Sequence, residues 1–363
     1  MTLWGKRGDM VVHRREPFNA EPPRCALAGR PITAVDTFYS RNHGPIPEAG
    51  EELWCLEVDG LVRRPLRLSL DRLREGFARW EVTATLQCAG NRRVDLLEVR
   101  DIPGQEPWGP GATSTARWSG VRLADVLAEA GMLPEAAFVA FAAPDVSRDA
   151  DPPQPFGGSI PVAKALADEV LLAWAMNDRP LPRVHGGPLR VVVPGWIGAR
   201  SVKWLRRITA QAEPSRNYFQ AVAYRLLPPD ADPAEARPGD GVPLGPVALN
   251  CDILWPDGAA PVPAGPLLVT GYAFAGDDRS VTRLDVSLDD GRTWAQAELD
   301  APEGPWAWQH WRITVDLPPG ETVVTARAWD STAALQPESP ESLWNPLGYV
   351  NNAWARLRLV GHP

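Results

Sequence analysis

The 363-residue chain has few cysteines, no long apolar run and no excess of positive charge. Its four cysteines, Cys25, Cys55, Cys88 and Cys251, stand far apart, so the sequence contains no CxxC pair and no CxxCH motif. This spacing excludes a zinc ribbon, a thioredoxin motif and a covalently attached c-type haem. Four cysteines in so long a chain also do not indicate a disulfide scaffold.

The chain lacks a stretch of about 18 apolar residues, which excludes a transmembrane helix, so we expect no membrane partner. Its N-terminal segment has neither an apolar core nor a twin-arginine signal, which predicts a cytoplasmic protein; a periplasmic location stays open if a leader was removed. The 37 basic and 45 acidic side chains leave a net charge of −8. A chain without a basic excess is not expected to bind nucleic acid.

Proline, glycine and tryptophan are abundant. The 39 prolines and 31 glycines indicate many turns, while a hydrophobic fraction of 44% excludes a disordered chain. The 16 tryptophans are costly to bury, because each indole N–H then needs a hydrogen-bond partner. The length predicts about two domains.

Composition and periodicity divide the chain into four parts. Residues 1–30 are polar and contain several prolines, which predicts an extended arm. Residues 31–227 mix short apolar runs with helical patterns, and residues 228–242 have the composition of a linker. Residues 243–363 show strand alternation, a hairpin signal at Asp290-Gly291 and no helical periodicity. We therefore expect the α+β class: a mixed α/β domain followed by an all-β immunoglobulin-like sandwich.

Local patterns predict individual elements in both domains. In the first domain we expect helices at 69–76, 122–131 and 161–167, and strands at 53–58, 81–86 and 189–193, the first of them closed by a turn at Asp59-Gly60. In the second domain we expect strands at 266–274, 281–288, 311–317, 322–329 and 353–360.

Cys88 is the cysteine whose surroundings indicate chemistry. It closes a predicted strand and is followed by Ala89, Gly90 and Asn91, and then by a pair of arginines. Small residues let the backbone approach a ligand, and nearby arginines favour a thiolate or a bound anion. A single thiolate can anchor a soft metal whose other ligands come from a cofactor. The alternative is a buried structural cysteine beside a surface charge pair.

Two further segments, 39–45 and 185–204, combine proline or glycine with basic and hydroxyl side chains. Such backbone can cradle a phosphate or an oxyanion. The alternatives are a surface loop for the first segment and a purely structural strand–turn–strand for the second. Neither a Walker loop nor GxGxxG, GxSxG or HExxH occurs, so the common nucleotide, hydrolase and zinc motifs are excluded.

Together these segments resemble the sulfite oxidase family of molybdenum enzymes. The matching stretches, in the family's order, are FYSRNHGPIP (38–47), TLQCAGNRR (85–93), WGPGATSTARW (108–118), HGGPLRVVVPGWIGARSVKWLRRI (185–208) and WNPLGYVNNAW (344–354). The resemblance implies a molybdopterin-binding domain of sulfite oxidase type followed by an immunoglobulin-like dimerisation domain, and hence a homodimer. Trp306, Trp308 and Trp311 are candidates for the dimer interface, unless they fill the sandwich core.

The resemblance also implies roles for individual residues. Cys88 matches the thiolate that ligates molybdenum. Arg41 and Arg93 match basic residues of the substrate anion pocket, Trp108 matches a pocket-lining indole, and Tyr224 matches the active-site tyrosine. The positions that match those holding the pterin and its phosphate are Tyr39, Ser40, Arg41, Asn42, His43, Cys88, Asp145, His185, Arg190, Ser201, Val202 and Lys203, with Arg200 as a weaker candidate.

The activity that the resemblance implies is oxidation of sulfite or a related sulfur compound by oxygen-atom transfer at a cysteine-ligated molybdenum. The expected cofactor is molybdenum–molybdopterin, with no haem or flavin in this chain. The substrate would be a small anionic or sulfur-containing compound, and the electrons would pass to an external acceptor: a cytochrome, a small molecule or oxygen.

Two positions depart from the family's pattern. Ala223 stands where the family usually has Asp, and Leu347 stands where it has an arginine of the substrate pocket. Loss of that positive charge is expected to weaken binding of a small dianion. A molybdenum-dependent reductase of a sulfoxide or another oxyanion is therefore the alternative activity, and a cofactor-binding protein without catalysis is a third interpretation.

Overall fold

The computed structural model describes residues 3–48, 50 and 54–363. The predicted strand at 53–58 therefore begins with a residue, Leu53, that lies outside the described ones. Across the described residues, short helices alternate with long strands before position 227, and strands dominate after it. The expected α+β class is confirmed.

The α-helices of the described residues are α1 (Leu70–Gly76), α2 (Arg93–Val99), α3 (Leu123–Ala130), α4 (Val162–Ala165) and α5 (Tyr218–Ala221). Short 3-10 turns cover Leu3–Gly5, Arg24–Leu27, Arg183–His185, Gly198–Arg200 and Pro340–Leu343. The strands before residue 227 are β1 (Val11–Arg14), β2 (Asn19–Glu21), β3 (Leu56–Gly60), β4 (Leu66–Leu68), β5 (Trp80–Gln87), β6 (Thr113–Arg122), β7 (Phe138–Ser147), β8 (Gln154–Pro161), β9 (Leu171–Met176), β10 (Arg179–Pro180), β11 (Arg190–Val192), β12 (Arg207–Gln211) and β13 (Arg225–Leu226). The later strands are β14 (Val242–Pro243), β15 (Asn250–Trp255), β16 (Val262–Pro263), β17 (Gly265–Phe274), β18 (Val281–Ser287), β19 (Ala295–Gln296), β20 (Glu298–Leu299), β21 (Gln309–Leu317), β22 (Gly320–Asp330) and β23 (Ala355–His362).

One predicted helix begins, and another ends, at the residue that the sequence indicates. The Ser69 side chain caps α1 by accepting a hydrogen bond of 3.1 Å from the backbone N–H of Arg72. Gly131 ends α3 in the left-handed region, at φ 65°. The turn expected at Asp59-Gly60 is wrong, because β3 continues to Gly60. That position needs glycine because a Cβ there would lie 2.2 Å from the carbonyl oxygen of Ala210 on β12.

The first domain contains two five-stranded sheets that position the pocket described below. One has the order β10-β9-β6-β5, with β11 also pairing with β9, and the other has the order β4-β3-β12-β7-β8. The first sheet delivers Cys88 at the end of β5 and Arg190 at the start of β11. The second delivers Asp145 from β7, where the register with β8 shifts between Ala142 and Val146. That irregularity frees Asp145 from the regular ladder.

The second domain is an all-β sandwich, as expected. Its sheets have the orders β15-β17-β21-β20 and β16-β23-β22-β18-β19. Buried residues of both sheets form one core, including Val269 and Trp311 on one side and Val324 and Leu357 on the other. The five strands expected here correspond to β17, β18, β21, β22 and β23. The immunoglobulin-like topology stays a prediction.

The segment predicted as a linker is a loop with a closed base. The short strands β13 and β14 on either side of it pair with each other. The guanidinium of Arg225 donates to the backbone carbonyl oxygens of Gly239 and Gly241, at 2.7 and 2.8 Å.

Among the helices of the described residues, none is long and apolar enough to cross a membrane.

Arg92 joins the two domains beside the Cys88 loop. Its guanidinium donates to the carbonyl oxygens of Cys251, Ala353 and Trp354 at 2.9–3.1 Å. It also lies 3.4 Å from a carboxylate oxygen of Asp252. Arg92 is almost fully buried and makes several charge-assisted contacts. It therefore holds β15 and the loop before β23 against the Cys88 segment.

Burial corrects the expectation that three tryptophans lie at a dimer interface. Trp308 and Trp311 are each 1% exposed, and their indole N–H groups donate to the carbonyl oxygens of Pro31 and Tyr272. Trp306 is half-buried, and its carbonyl oxygen accepts from the backbone of Thr85 in β5. These side chains fill the interior and the contact between the domains, so they do not offer an exposed aromatic surface to a second copy.

Candidate cofactor and substrate site

One pocket brings together residues that are far apart in the sequence. It contains about 640 Å³ of empty space, part of it open to solvent, and lies where the end of β5, the bulge of β7 and three loops meet. The predicted site residues that line it are Tyr39, Ser40, Arg41, Asn42, His43, Cys88, Asp145, His185, Arg190, Ser201, Lys203 and Tyr224. The two loop segments singled out from the sequence therefore face the same space as Cys88.

Cys88 is held in place by its backbone. Its N–H donates to the carbonyl oxygen of Ala112 at 2.9 Å, and its Sγ accepts a weak hydrogen bond of 3.4 Å from the N–H of Gly90. The Cys88 side chain is buried, and burial raises the pKa of the thiol above its usual value, although Arg93 and Arg41 oppose this shift. A metal that binds Cys88 must therefore displace a proton from a neutral thiol.

Arg93 lies behind the pocket and does not line it. Its guanidinium donates to the carbonyl oxygens of Gly348 and Glu106 at 3.1 and 2.8 Å, and its Cζ lies 5.5 Å from the ring centre of Tyr349. Gly90 makes room for it, because a Cβ there would meet Nη2 at 2.4 Å. Arg93 therefore supplies positive charge behind the Cys88 loop. Of the two arginines predicted to bind the substrate, Arg41 is the one that lines the cavity.

His43 and Tyr224 form a neutral pair. The Nε2 atom of His43 lies 2.6 Å from the Tyr224 hydroxyl, and the imidazole stacks on Phe156 at 4.4 Å. Burial, followed by the charges of Arg41 and Lys203, holds the pKa of His43 well below its usual range, and burial raises the pKa of Tyr224. At neutral pH this pair can exchange hydrogen bonds with a ligand but does not carry charge.

Lys203 and Arg190 bring positive charge to the pocket. The Lys203 ammonium donates to the carbonyl oxygens of Arg41 and Val184 at 2.9 and 3.2 Å and contacts the Asn42 side chain. Arg190 donates to the carbonyl oxygens of His185 and Ser201, both at 2.8 Å. Two cations held this close together favour an anionic group between or beside them.

Asp145 is the carboxyl group of this pocket, and it is poorly satisfied. Burial raises its pKa to about 7, against the lowering effect of Lys203. Its Oδ1 and the Oγ of Ser40 are buried and have no hydrogen-bond partner among the described residues. An unsatisfied buried polar atom costs about 1–3 kcal/mol, which a ligand with N–H or O–H groups would remove. The unpaired oxygens, the cations and the Cys88 thiol fit a ligand that combines a polar ring, an anionic group and a soft metal.

Besides Arg93, three predicted residues do not line the pocket. Trp108 is buried with its ring 4.6 Å from that of His13, in an edge-on contact. Val202 is buried, and its carbonyl oxygen accepts from the N–H of Val191. Arg200 donates to the carbonyl oxygens of Leu244 and Phe219. The donors of Arg200 serve the fold although it lies in the same segment as Ser201, and its role toward the cofactor stays a prediction.

Reasoning from the sequence missed Lys6, Tyr349 and also Glu106, whose charge acts on Arg41. The ammonium of Lys6 lies 2.5 Å from Nε2 of His185, and the ring of Tyr349 stacks on Tyr224 at 5.4 Å. Tyr349 belongs to the quoted stretch 344–354, which is a signal that could have found it. Lys6 and Glu106 stand in segments without a motif, so only the folded chain shows where they lie.

Comparison with known proteins agrees with this geometry. The family of the oxidoreductase molybdopterin binding domain matches residues 43–219, and that of the Mo-co oxidoreductase dimerisation domain matches residues 247–361. The chain is 44% identical to the sulfite oxidase of Gallus gallus, over 95% of this chain and 76% of that protein. It is 41% identical to the mitochondrial sulfite oxidase of Homo sapiens, over 98% of this chain and 66% of that protein. The solved structure of the sulfane dehydrogenase SoxCD from Paracoccus pantotrophus matches with a TM-score of 0.81 and 29% identity, over 95% of this chain and 85% of that chain.

The raised pKa of Cys88 predicts slow alkylation of the cofactor-free protein. Because only the thiolate reacts, labelling of Cys88 by iodoacetamide at pH 8 should be several-fold slower than in the unfolded chain, and should still be rising above pH 9. Mass spectrometry of the Cys88 peptide measures this rate, and the Cys88→Ser variant gives the background. Labelling of the folded chain at pH 7 as fast as that of the unfolded chain would contradict the prediction.

Proposed function

The chain belongs to the sulfite oxidase family of molybdopterin-dependent oxidoreductases, and on that premise we propose that it oxidises sulfite or a related reduced sulfur compound. It is an oxidoreductase with a molybdenum–molybdopterin cofactor. The observation that carries the proposal for the substrate is the convergence of Cys88 with the cations Arg41, Arg190 and Lys203 in one pocket.

The residues of the pocket divide into those that would hold the cofactor and those that would hold the substrate. When bound, the molybdenum group supplies two-electron oxygen-atom-transfer chemistry. Cys88 would ligate the metal through its thiolate, after loss of its proton. The unpaired oxygens of Ser40 and Asp145 would accept hydrogen bonds from the pterin. Arg190 and Lys203 would offset the charge of the phosphate.

Arg41 is the residue that we propose binds the substrate anion. It lines the pocket, and its charge acts on both Cys88 and Tyr224. The Tyr224 hydroxyl can donate a hydrogen bond to a substrate oxygen when His43 carries its proton on Nε2. Because the pair is neutral, it can orient an oxyanion without adding a second negative charge to the site.

A sulfur compound other than sulfite is kept in the proposal because of Leu347. This half-buried side chain packs against the core cluster that contains Tyr224 and Tyr349. It brings no charge to the position where the family has an arginine. The structural similarity to a protein named as a sulfane dehydrogenase supports the same extension of the substrate class. We further propose that the electrons pass to an external acceptor, which is a cytochrome, a small molecule or oxygen.

Molybdenum analysis and a sulfite assay test this proposal. The purified full chain should contain molybdenum and yield pterin fluorescence after oxidation, and sulfite should drive reduction of ferricyanide or cytochrome c. The Cys88→Ser variant should lose this activity by more than about 100-fold while keeping pterin contacts elsewhere in the pocket. A chain without molybdenum and pterin would contradict the cofactor. A loaded enzyme that only reduces sulfoxides with a reduced dye would contradict the proposed direction.

A second prediction concerns Leu347. The Leu347→Arg variant restores a positive charge on the 344–354 segment, so kcat/KM for sulfite should rise by about tenfold, as expected for one charge-assisted contact. Steady-state kinetics with sulfite measure the change, and Leu347→Met is the control that keeps size without charge. An unchanged kcat/KM in Leu347→Arg would show that this position does not set the specificity.

We also infer a homodimer formed through the domain at 243–363. The inference is supported by the match of residues 247–361 to a family described as a dimerisation domain. Light scattering should give twice the chain mass of 39.6 kDa. A monomer at micromolar concentration would contradict the inference.

A further inference from the structure

Lys6 is a buried lysine in an arm whose sequence is polar. It is 3% exposed, and its Nζ donates to the carbonyl oxygens of Val35 and Phe38 at 2.6 and 2.7 Å. The third contact of Nζ is with Nε2 of His185, at 2.5 Å and 179 residues away in the chain. An ammonium has three N–H groups, so each of them has one acceptor here.

These contacts define the state of His185. Burial, followed by the charges of Lys6, Lys203 and Arg190, holds the pKa of His185 well below its usual range, so the ring is neutral at pH 7. A neutral imidazole that accepts at Nε2 carries its proton on Nδ1. The ring of Phe38 meets that of His185 edge-on at 5.1 Å, and Arg190 binds the carbonyl oxygen of His185. His185 lines the pocket, so Lys6 reaches the pocket through it.

Lys6 adds a positive charge near His185, where Lys203 and Arg190 are already positive. The chain has only three lysines among its 37 basic side chains; Lys6 is buried beside His185, and Lys203 is half-buried and lines the pocket. Among the described residues, Lys6 has no carboxylate as an ion-pair partner. Burial lowers its pKa to about 7, and the negative charge of Asp36 opposes this shift only in part. An anion bound nearby would oppose the shift further.

We propose that Lys6 is a positioning residue for the anionic end of the pocket: it holds His185 with Nε2 as an acceptor and supplies a buried positive charge that the ligand neutralises. It acts on the ligand through His185 and through charge, because its own N–H groups are already taken. The identification of this anion as the phosphate of the cofactor rests on the proposed function. The role of Lys6 toward an anion does not.

The competing interpretation is that Lys6 only anchors the N-terminal arm. The arm has another anchor nearby, since the N–H of Arg7 donates to the carbonyl oxygen of Asp36 at 3.1 Å. An anchor would affect the melting temperature but neither the tautomer of His185 nor the affinity for an anion. The test must therefore read the tautomer and the anion affinity together with stability.

The experiment uses the full chain and three variants. Lys6→Met removes the charge, Lys6→Arg keeps it, and Lys164→Met is the matched control, since Lys164 is a partly buried lysine that pairs with Glu169 and stands over Trp306. The measurements are the imidazole nitrogen spectrum of His185 in histidine-labelled protein, the Kd of inorganic phosphate for cofactor-free protein, the pterin content and the melting temperature.

At pH 6, where Lys6 is protonated, we expect wild-type His185 to show the Nδ1–H tautomer. In Lys6→Met the His185 signals should shift, phosphate affinity should fall by about tenfold or more, and pterin content should fall with it. Lys6→Arg should keep most of the phosphate affinity. Lys164→Met should match wild type in the His185 spectrum, the phosphate affinity and the pterin content.

An Nε2–H tautomer in the wild type would overturn the proposal without any variant, so it stays testable even if Lys6→Met does not fold. Wild-type spectra and phosphate affinity in Lys6→Met, with only a lower melting temperature, would show an anchor and nothing more. Wild-type protein that contains no molybdopterin after expression in a host that makes the cofactor, yet binds phosphate in a Lys6-dependent way, would overturn the proposed function and leave the role of Lys6 intact.

Discussion

Burial of positive charge around one pocket is the constraint on which the rest of this structure depends. Lys6, Arg190 and Lys203 are removed from water, and an uncompensated buried charge costs several kcal/mol. Backbone carbonyl oxygens replace water as their partners, at distances of 2.6–3.2 Å. Carbonyls used in strand ladders are not free for this task, so the pocket is built from irregular backbone.

Buried arginines that donate to backbone carbonyl oxygens also occur where the domains meet. Arg92 binds three carbonyl oxygens of the second domain, and Arg93, the next residue, binds one more on Gly348. Both follow Cys88 within five positions. The second domain also supplies Tyr349, which stacks on Tyr224. The geometry around Cys88 is therefore a property of both domains, and the pocket does not belong to the first one alone.

Much of the candidate site was predictable, because its residues stand in short stretches that resemble one family. The stretches 38–47 and 185–208 and the residue Cys88 were all placed at the pocket by that resemblance, and Cys88 and several residues of both stretches line it. Orientation within a stretch was not predictable. Arg190 and Arg200 carry the same chemistry ten residues apart, yet the side chain of Arg190 lines the pocket while that of Arg200 turns to Leu244 and Phe219. Neither composition nor spacing separates these outcomes, because the direction of a side chain follows the local backbone.

The sequence by itself determined what local interactions decide: the class of the fold, the cap of α1 at Ser69, the end of α3 at Gly131 and the strand alternation of the second domain. These depend on neighbours within a few residues, which the sequence shows directly. Only the tertiary structure decided what depends on remote contacts. The net charge of −8 gave no sign of a cationic pocket, and no motif marked Lys6 as a neighbour of His185. The tryptophans at 308 and 311 could have been surface or core until their burial was known. Desolvation and proximity, which set charge states and contacts, exist only once distant segments have packed together.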